Sequence, residues 1–113
     1  MVGATYLMEV GFVFDNVLGT GMDSSSFAVP DAARNEKYVA LGQLMSRMWI
    51  SFVVSHDPNN HGVESFTTEW PEYNTSTPVN MVFDGNTTSF VETDLWRVDA
   101  MQIFIDHALD FSR

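Results

Sequence analysis

The sequence predicts a mixed α/β unit of two main helices and one β-hairpin, and three observations carry that expectation. Between Glu36 and Val54, Tyr38, Leu41, Met45, Met48 and Phe52 recur at helical spacing. Val79 to Phe83 and Thr87 to Val91, rich in Val, Phe and Thr, flank the turn-forming Asp84-Gly85-Asn86. After Asp94 a second helical stripe, Leu95, Val98, Met101, Ile105 and Leu109, runs on to about Phe111.

Taken in chain order, Gly3 to Phe14 reads as a turn followed by a strand or a brief helical turn, ending in the apolar cluster Val10, Phe12, Val13 and Phe14. Asp15 to Asn35 has Gly19, Gly21, Ser24-Ser25-Ser26 and Pro30 and no helical or strand period, so a long loop is expected. Loops of that length in compact domains are functional or drape over another surface. In Glu36 to Val54, Leu44, Trp49 and Ile50 widen the stripe beyond one face, which predicts a largely buried helix of about five turns. The helix must stop at Ser55-His56-Asp57-Pro58-Asn59-Asn60, because Pro58 cannot continue it, and Asn59, Asn60 and Gly62 tolerate left-handed backbone. Pro71 pushes Trp70 away from helical dihedrals, so Glu69 to Tyr73 is extended or a turn. Asp94 is placed to cap the last helix, which carries Trp96, Ile103, Phe104 and Phe111 outside its stripe.

Composition narrows the function. At 113 residues with 45% apolar and 13% aromatic content, the chain belongs with globular rather than disordered sequences. Fifteen acids against five basic residues give a formal charge of -10, which argues against nucleic acid and an anionic membrane surface as partners. Without cysteine there is no disulfide, thiolate nucleophile or Cys-based zinc site, and the compartment stays open. There is no basic n-region of a signal peptide, and no apolar run reaches the roughly 18 residues of a membrane span. Nothing in the pattern calls for a cofactor. Two helices and one small hairpin face offer too little surface to cover each other's apolar sides, so either the chain associates with itself or it is the end of a larger fold.

The order of "GATYLMEVGFVF", a long loop, a helix ending "MWISFVVSHDPNN", then "EWPEY", a hairpin and a final amphipathic helix resembles the C-terminal end of type-B carboxylesterases, the cholinesterase and fungal lipase group of α/β hydrolases. Trp49, Phe52 and Asp57-Pro58-Asn59 match the family's helix and the loop that ends it, and Trp70, Pro71 and Tyr73 match its Trp-Pro-x-Tyr segment. The resemblance covers essentially the whole chain. It implies a C-terminal fragment of an α/β-hydrolase fold, ester hydrolysis by a Ser-acid-His triad in the intact family, and an N-terminal hydrolase portion as the partner of this segment. No Gly-x-Ser-x-Gly nucleophile elbow occurs among the seven glycines, and the family's acid and oxyanion-hole glycines lie upstream of the matching region. On the family's pattern Tyr6 stands at the position of the catalytic histidine. A phenol with an ordinary pKa near 10 cannot shuttle a proton near neutrality as imidazole does. The resemblance therefore implies a chain with no intact catalytic set, inactive by itself; family members are often secreted.

Apart from the resemblance, Tyr6 reads as a packed tyrosine with a wet hydroxyl, and Glu9 as a hydrogen-bonded structural acid. His56, Asp57 and His61 could supply three metal ligands, but ordinary helix-end and loop polarity explains them, and no metal site is expected. Met45 and Met48 read as core filler. Asn74-Thr75-Ser76 and Asn86-Thr87-Thr88 are acceptor sequons for N-glycosylation, meaningful where the chain is secreted. A second functional class stays open beside the hydrolase segment: a small acidic domain that docks or dimerises through its apolar helix faces.

Overall fold

The computed structural model describes residues 7–25, 27, 29–108 and 110. Its elements are α1 (Val10–Val13), α2 (Ala32–Ser55), β1 (Val79–Val82), β2 (Phe90–Thr93) and α3 (Val98–Asp106). Helix α2 organises the rest, and side-chain chemistry defines both of its ends. Asp31, in extended backbone, accepts from the Arg34 N–H at 3.2 Å and caps the N-terminus. The helix thus starts earlier than the apolar period, which begins only at Tyr38, had suggested. At the other end the His56 N–H donates to Phe52 O at 2.8 Å with His56 itself left-handed, φ 59°. That residue, rather than Asn59 or Asn60, takes the left-handed step; Gly62 takes another at φ 66°.

Of the two alternatives for the N-terminal stretch, the described part adopts the brief helical turn α1. It and the residues just after it lie against α2 at Gly42, where a Cβ would stand 3.7 Å from Phe12 O, 2.9 Å from a Val17 methyl and 3.2 Å from the Asp15 carboxylate. Any larger residue there would make the Val17 and Asp15 side chains shift. The Phe12 ring meets Phe27 and Tyr38 edge-on at centroid distances of 5.0 and 5.9 Å. The long loop between the helices is held by its own polar groups. Asn16 Oδ1 accepts from the Thr20 N–H at 2.7 Å, Ser25 Oγ donates to Val17 O at 2.6 Å, and the Asn35 amide bonds both Val29 N–H and Val29 O.

The hairpin is antiparallel, as the strand-forming residues predict, but its register corrects the expectation. Val79 pairs with Thr93 and Val82 with Phe90, so the second strand is Phe90–Thr93 instead of Thr87 to Val91. The reason lies in Asp84. Its carboxylate accepts from the Asn86 N–H at 2.7 Å, the Thr87 N–H at 3.3 Å and the Thr87 hydroxyl at 2.8 Å. This folds residues 84–87 into a local loop that competes with the ladder. At the opposite end the Asp94 N–H bonds Pro78 O at 2.9 Å.

That bond also corrects the expected cap of the last helix. Asp94 closes the hairpin and its carboxylate takes the Tyr73 hydroxyl at 3.3 Å, while α3 starts at Val98 after a left-handed Arg97 with no side-chain cap. The helix ends at Asp106; Leu109 and Phe111, placed on it by the sequence period, lie outside the described residues.

The core sits where α2 meets the hairpin and the intervening loop. Leu44, Met48, Phe66 and Met81 are buried together, flanked by Val63, Trp70, Phe83 and Val91. Burial beyond this is incomplete. Trp49, Ile50, Phe52, Val53 and Val54 of α2 are exposed, α3 has no buried residue, and α3 lies alongside no other helix or strand among the described residues. The largely buried helix expected over Glu36 to Val54 is thereby corrected: of α2 only Gly42, Leu44, Met45, Met48 and Ser51 are buried, because the hairpin and loop cover one side of it. The radius of gyration is 17.3 Å, against about 13 Å for a compact domain of about 100 residues.

Candidate functional site

Where α2 ends, its last turns and the segment Trp70 to Tyr73 form the two walls of an open groove of about 700 Å³. One wall is Met48, Trp49, Phe52 and His56; the floor is Asp57-Pro58-Asn59; the other wall is Trp70-Pro71-Glu72-Tyr73. Residues far apart in sequence meet here because the helix stop is tied to the second wall. Asn59 Nδ2 donates to Trp70 O at 3.0 Å, and the Trp70 N–H donates to Asn59 Oδ1 at 2.7 Å. This two-bond amide clamp satisfies both main-chain groups of Trp70, whose ring lies edge-on to Phe83 at 5.6 Å.

The clamp is itself held in place. Asp57 Oδ1 accepts from the Asn59 main-chain and side-chain N–H groups, each at 2.9 Å, and Asp57 Oδ2 takes the Asn60 amide at 3.2 Å. The Asp57 carbonyl receives the Ser51 hydroxyl at 2.6 Å and the Ser55 hydroxyl at 3.2 Å. Sequence reasoning found the Asp-Pro-Asn stop but not this function, since the pairing of Asn59 with Trp70 spans eleven positions. The trace that was available is the recurrence of an amide beside a chain break: Asn35 does the same for Val29 at the other end of α2.

Chemically the groove is apolar, with few ionisable groups. The His56 ring stands edge-on to Phe52 at 6.4 Å, and the Tyr73 hydroxyl is given to Asp94. Ser51 and Ser55 donate to main-chain carbonyls, and Asp57 is occupied by amides, so none of them is arranged as nucleophile and base. His56, Asp57 and His61 do not converge: His61 Nδ1 accepts from the Val63 N–H at 3.0 Å, and no group of three such side chains able to hold a metal occurs among the described residues. Glu9 is exposed and makes no side-chain cap at the start of α1, which leaves the expected structural hydrogen bond of its carboxylate without support there. Met45 and Met48 are buried, as expected of core filler. Tyr6 lies outside the described residues. No described helix is long and apolar enough to cross a membrane.

Trp49, Phe52, Asp57-Pro58-Asn59, Trp70, Pro71 and Tyr73, the positions on which the family resemblance was read, all line this one groove. A crystal structure of the Geobacillus stearothermophilus carboxylesterase EST55, at pH 6.2, has a similar fold, with a TM-score of 0.62 and 26% identity over 88% of this chain. The chain has a carboxylesterase-like fold. It spans 19% of the length of that carboxylesterase. No family model matches the sequence, and no curated protein matches it. The likeness agrees with three helices and a two-stranded sheet being one part of an α/β hydrolase, and it extends over far more of the chain than the groove alone. In this chain the groove residues join a helix end to an extended segment.

Proposed function

We infer that this chain is the C-terminal segment of a type-B carboxylesterase-like hydrolase, with the Ser-acid-His chemistry of ester cleavage dependent on a larger N-terminal portion. The observation that carries this reading is the likeness over 88% of the chain to 19% of a carboxylesterase. The apolar surface left uncovered on α2 and α3 supports it, because that surface suits the remainder of such a fold as partner. In this reading the segment supplies α2, its clamp and the hairpin as scaffold.

By itself the chain does not hydrolyse esters. Acyl transfer requires an activated serine, a base within about 2.6 to 3.2 Å and oxyanion donors. The sequence has no Gly-x-Ser-x-Gly, and Tyr6 occupies the position matching the family's histidine. A phenol there removes the proton shuttle.

The test is p-nitrophenyl ester hydrolysis by the purified chain, by Tyr6→His, and by both fused behind the N-terminal portion of a carboxylesterase. The expected result is no turnover from either isolated chain and turnover from the Tyr6→His fusion. Turnover by the isolated wild-type chain that tracks its concentration overturns the reading. A folded but inactive Tyr6→His fusion shows that the histidine position lies elsewhere. If neither fusion folds and the isolated chain forms a defined complex with itself, the small acidic interaction domain is the better description.

A further inference from the structure

The seven-residue connection between β1 and β2 is more ordered than a turn needs to be, and most of its polar groups are occupied. Gly85 lies against the Tyr38 ring, where a Cβ would meet Cε1 at 2.7 Å, so only glycine lets the loop rest on α2 there. Lys37 Nζ donates to the Asn86 carbonyl at 2.9 Å across a sequence separation of 49. The Asp84 carboxylate takes the Asn86 N–H, the Thr87 N–H and the Thr87 hydroxyl, and the Asp84 N–H donates to Ser89 Oγ. Two of its side-chain groups are left over. The Asn86 side-chain amide and the Thr88 hydroxyl make no hydrogen bond to any described residue, and both residues are exposed.

Those two groups are the first and third positions of the sequon Asn86-Thr87-Thr88. We propose that Asn86 is an N-glycosylation site, presented by a loop anchored on α2 so that a glycan projects from the hairpin tip without disturbing a packed contact. The hydroxyl at the middle position, Thr87, is the one that Asp84 engages; the one that an acceptor sequon requires, on Thr88, is free of it.

The second sequon is exposed too and differs at its amide oxygen and its surroundings. Asn74 Oδ1 accepts from the Ser76 N–H at 2.8 Å within a tight turn closed by Thr77 N–H to Asn74 O. Its neighbour Tyr73 lines the apolar groove and bonds Asp94, four residues before the start of the exposed α3. A glycan on Asn74 would stand beside surface that asks to be covered. One on Asn86 stands at the other end of the hairpin, beside the polar start of α2.

The chemistry is a group transfer. The Asn86 Nδ2 attacks the anomeric carbon of an oligosaccharide carried on a polyprenyl pyrophosphate, the donor that the transferase of the secretory pathway supplies. The carbon–nitrogen bond forms, the anomeric carbon–oxygen bond to pyrophosphate breaks, and one amide proton is lost as the polyprenyl pyrophosphate leaves. No oxidant or reductant is involved. The inference does not rest on the esterase reading and survives its failure.

The experiment is cell-free translation of the full chain behind a cleavable leader in the presence of microsomes, followed by glycosidase treatment and peptide mass analysis. Microsomes score the transfer whether or not the chain is later exported, and leader cleavage confirms entry. The expected result is a glycan on the Asn86 peptide of the wild type and of Asn74→Gln, released by peptide-N-glycosidase with conversion of Asn86 to Asp. Asn86→Gln and Thr88→Ala lose it completely. The purified glycosylated chain should show the same urea midpoint before and after glycan removal. Entry with an unmodified Asn86, or a glycan confined to Asn74, overturns the proposal; a midpoint that shifts on removal overturns the placement of the glycan away from packed contacts.

Discussion

Along α2, Leu44, Met45 and Met48 are shut away from water, Met48 to 1% exposure, whereas along α3 Ile103 and Ile105 stand 61% and 63% exposed and no residue is buried. Both segments carry large apolar side chains at helical spacing, and both are helical. What separates them is the presence of a facing layer. Helix α2 has α1, the loop through Phe66 and the hairpin against it, and α3 has none of the other elements beside it. Apolar periodicity reports a helix that can be buried; burial itself requires a partner whose position is set elsewhere.

The largest effect expected from this difference is at Met48. Met48→Ala removes the most buried side chain of the core cluster and should cost about 2–5 kcal/mol in urea denaturation. A cost well under 1 kcal/mol would mean that the α2 core is not what holds the chain.

The groove lies on the border between the two regions, and Asn59 tests whether it belongs to the packed one. Asn59→Ala breaks both bonds to Trp70 and leaves its main-chain groups without those partners, with an expected loss of about 1–3 kcal/mol and a changed Trp emission. Unchanged stability would put the Trp70 to Tyr73 wall with the uncovered surface instead.

A smaller, pH-dependent effect belongs to Asp84. The main-chain N–H of Asn86, then the Thr87 hydroxyl, hold its carboxyl below the ordinary value of 3.8. A lowered folded-state pKa means that the contribution is fully present above that ordinary value and fades as pH falls through the lowered one. The Asn86 and Thr87 amide resonances should therefore shift together at acidic pH below 3.8, and Asp84→Asn should abolish that titration. Independent titration of the two amides would separate them from Asp84.

The smallest stability effect is expected on α3. Ile103→Ser and Ile105→Ser should each change the stability of the chain by no more than about 0.5 kcal/mol, while reducing its binding of a hydrophobic dye. A loss as large as that of Met48→Ala would show that α3 has a partner in solution and would erase the contrast between the helices.

Several features were legible from residues alone because their causes are local. Pro58 and the residues before it stop α2 within a turn, Met45 and Met48 fall on its buried face, and the runs around Asp84-Gly85 pair antiparallel. The errors arose where a side chain chose between two local partners. Asp84 captured Asn86 and Thr87, which moved the second strand to Phe90–Thr93, and Asp94 went to Pro78 and Tyr73 instead of capping α3. A periodicity rule cannot decide such competition, because both outcomes keep the same apolar spacing. In the groove, the order of the Trp, Asp-Pro-Asn and Trp-Pro-x-Tyr positions was visible, but their convergence on one clamp was not.

The sequence by itself determined the α/β content, where α2 stops, the antiparallel sense of the hairpin and the resemblance to a carboxylesterase segment. These depend on backbone preferences and side-chain spacing within a few residues. Only the tertiary structure decided that Asn59 holds Trp70, that Lys37 reaches Asn86, and that α2 is covered while α3 is left open. Each of those depends on the free energy of bringing distant groups together, which no single stretch of the chain contains.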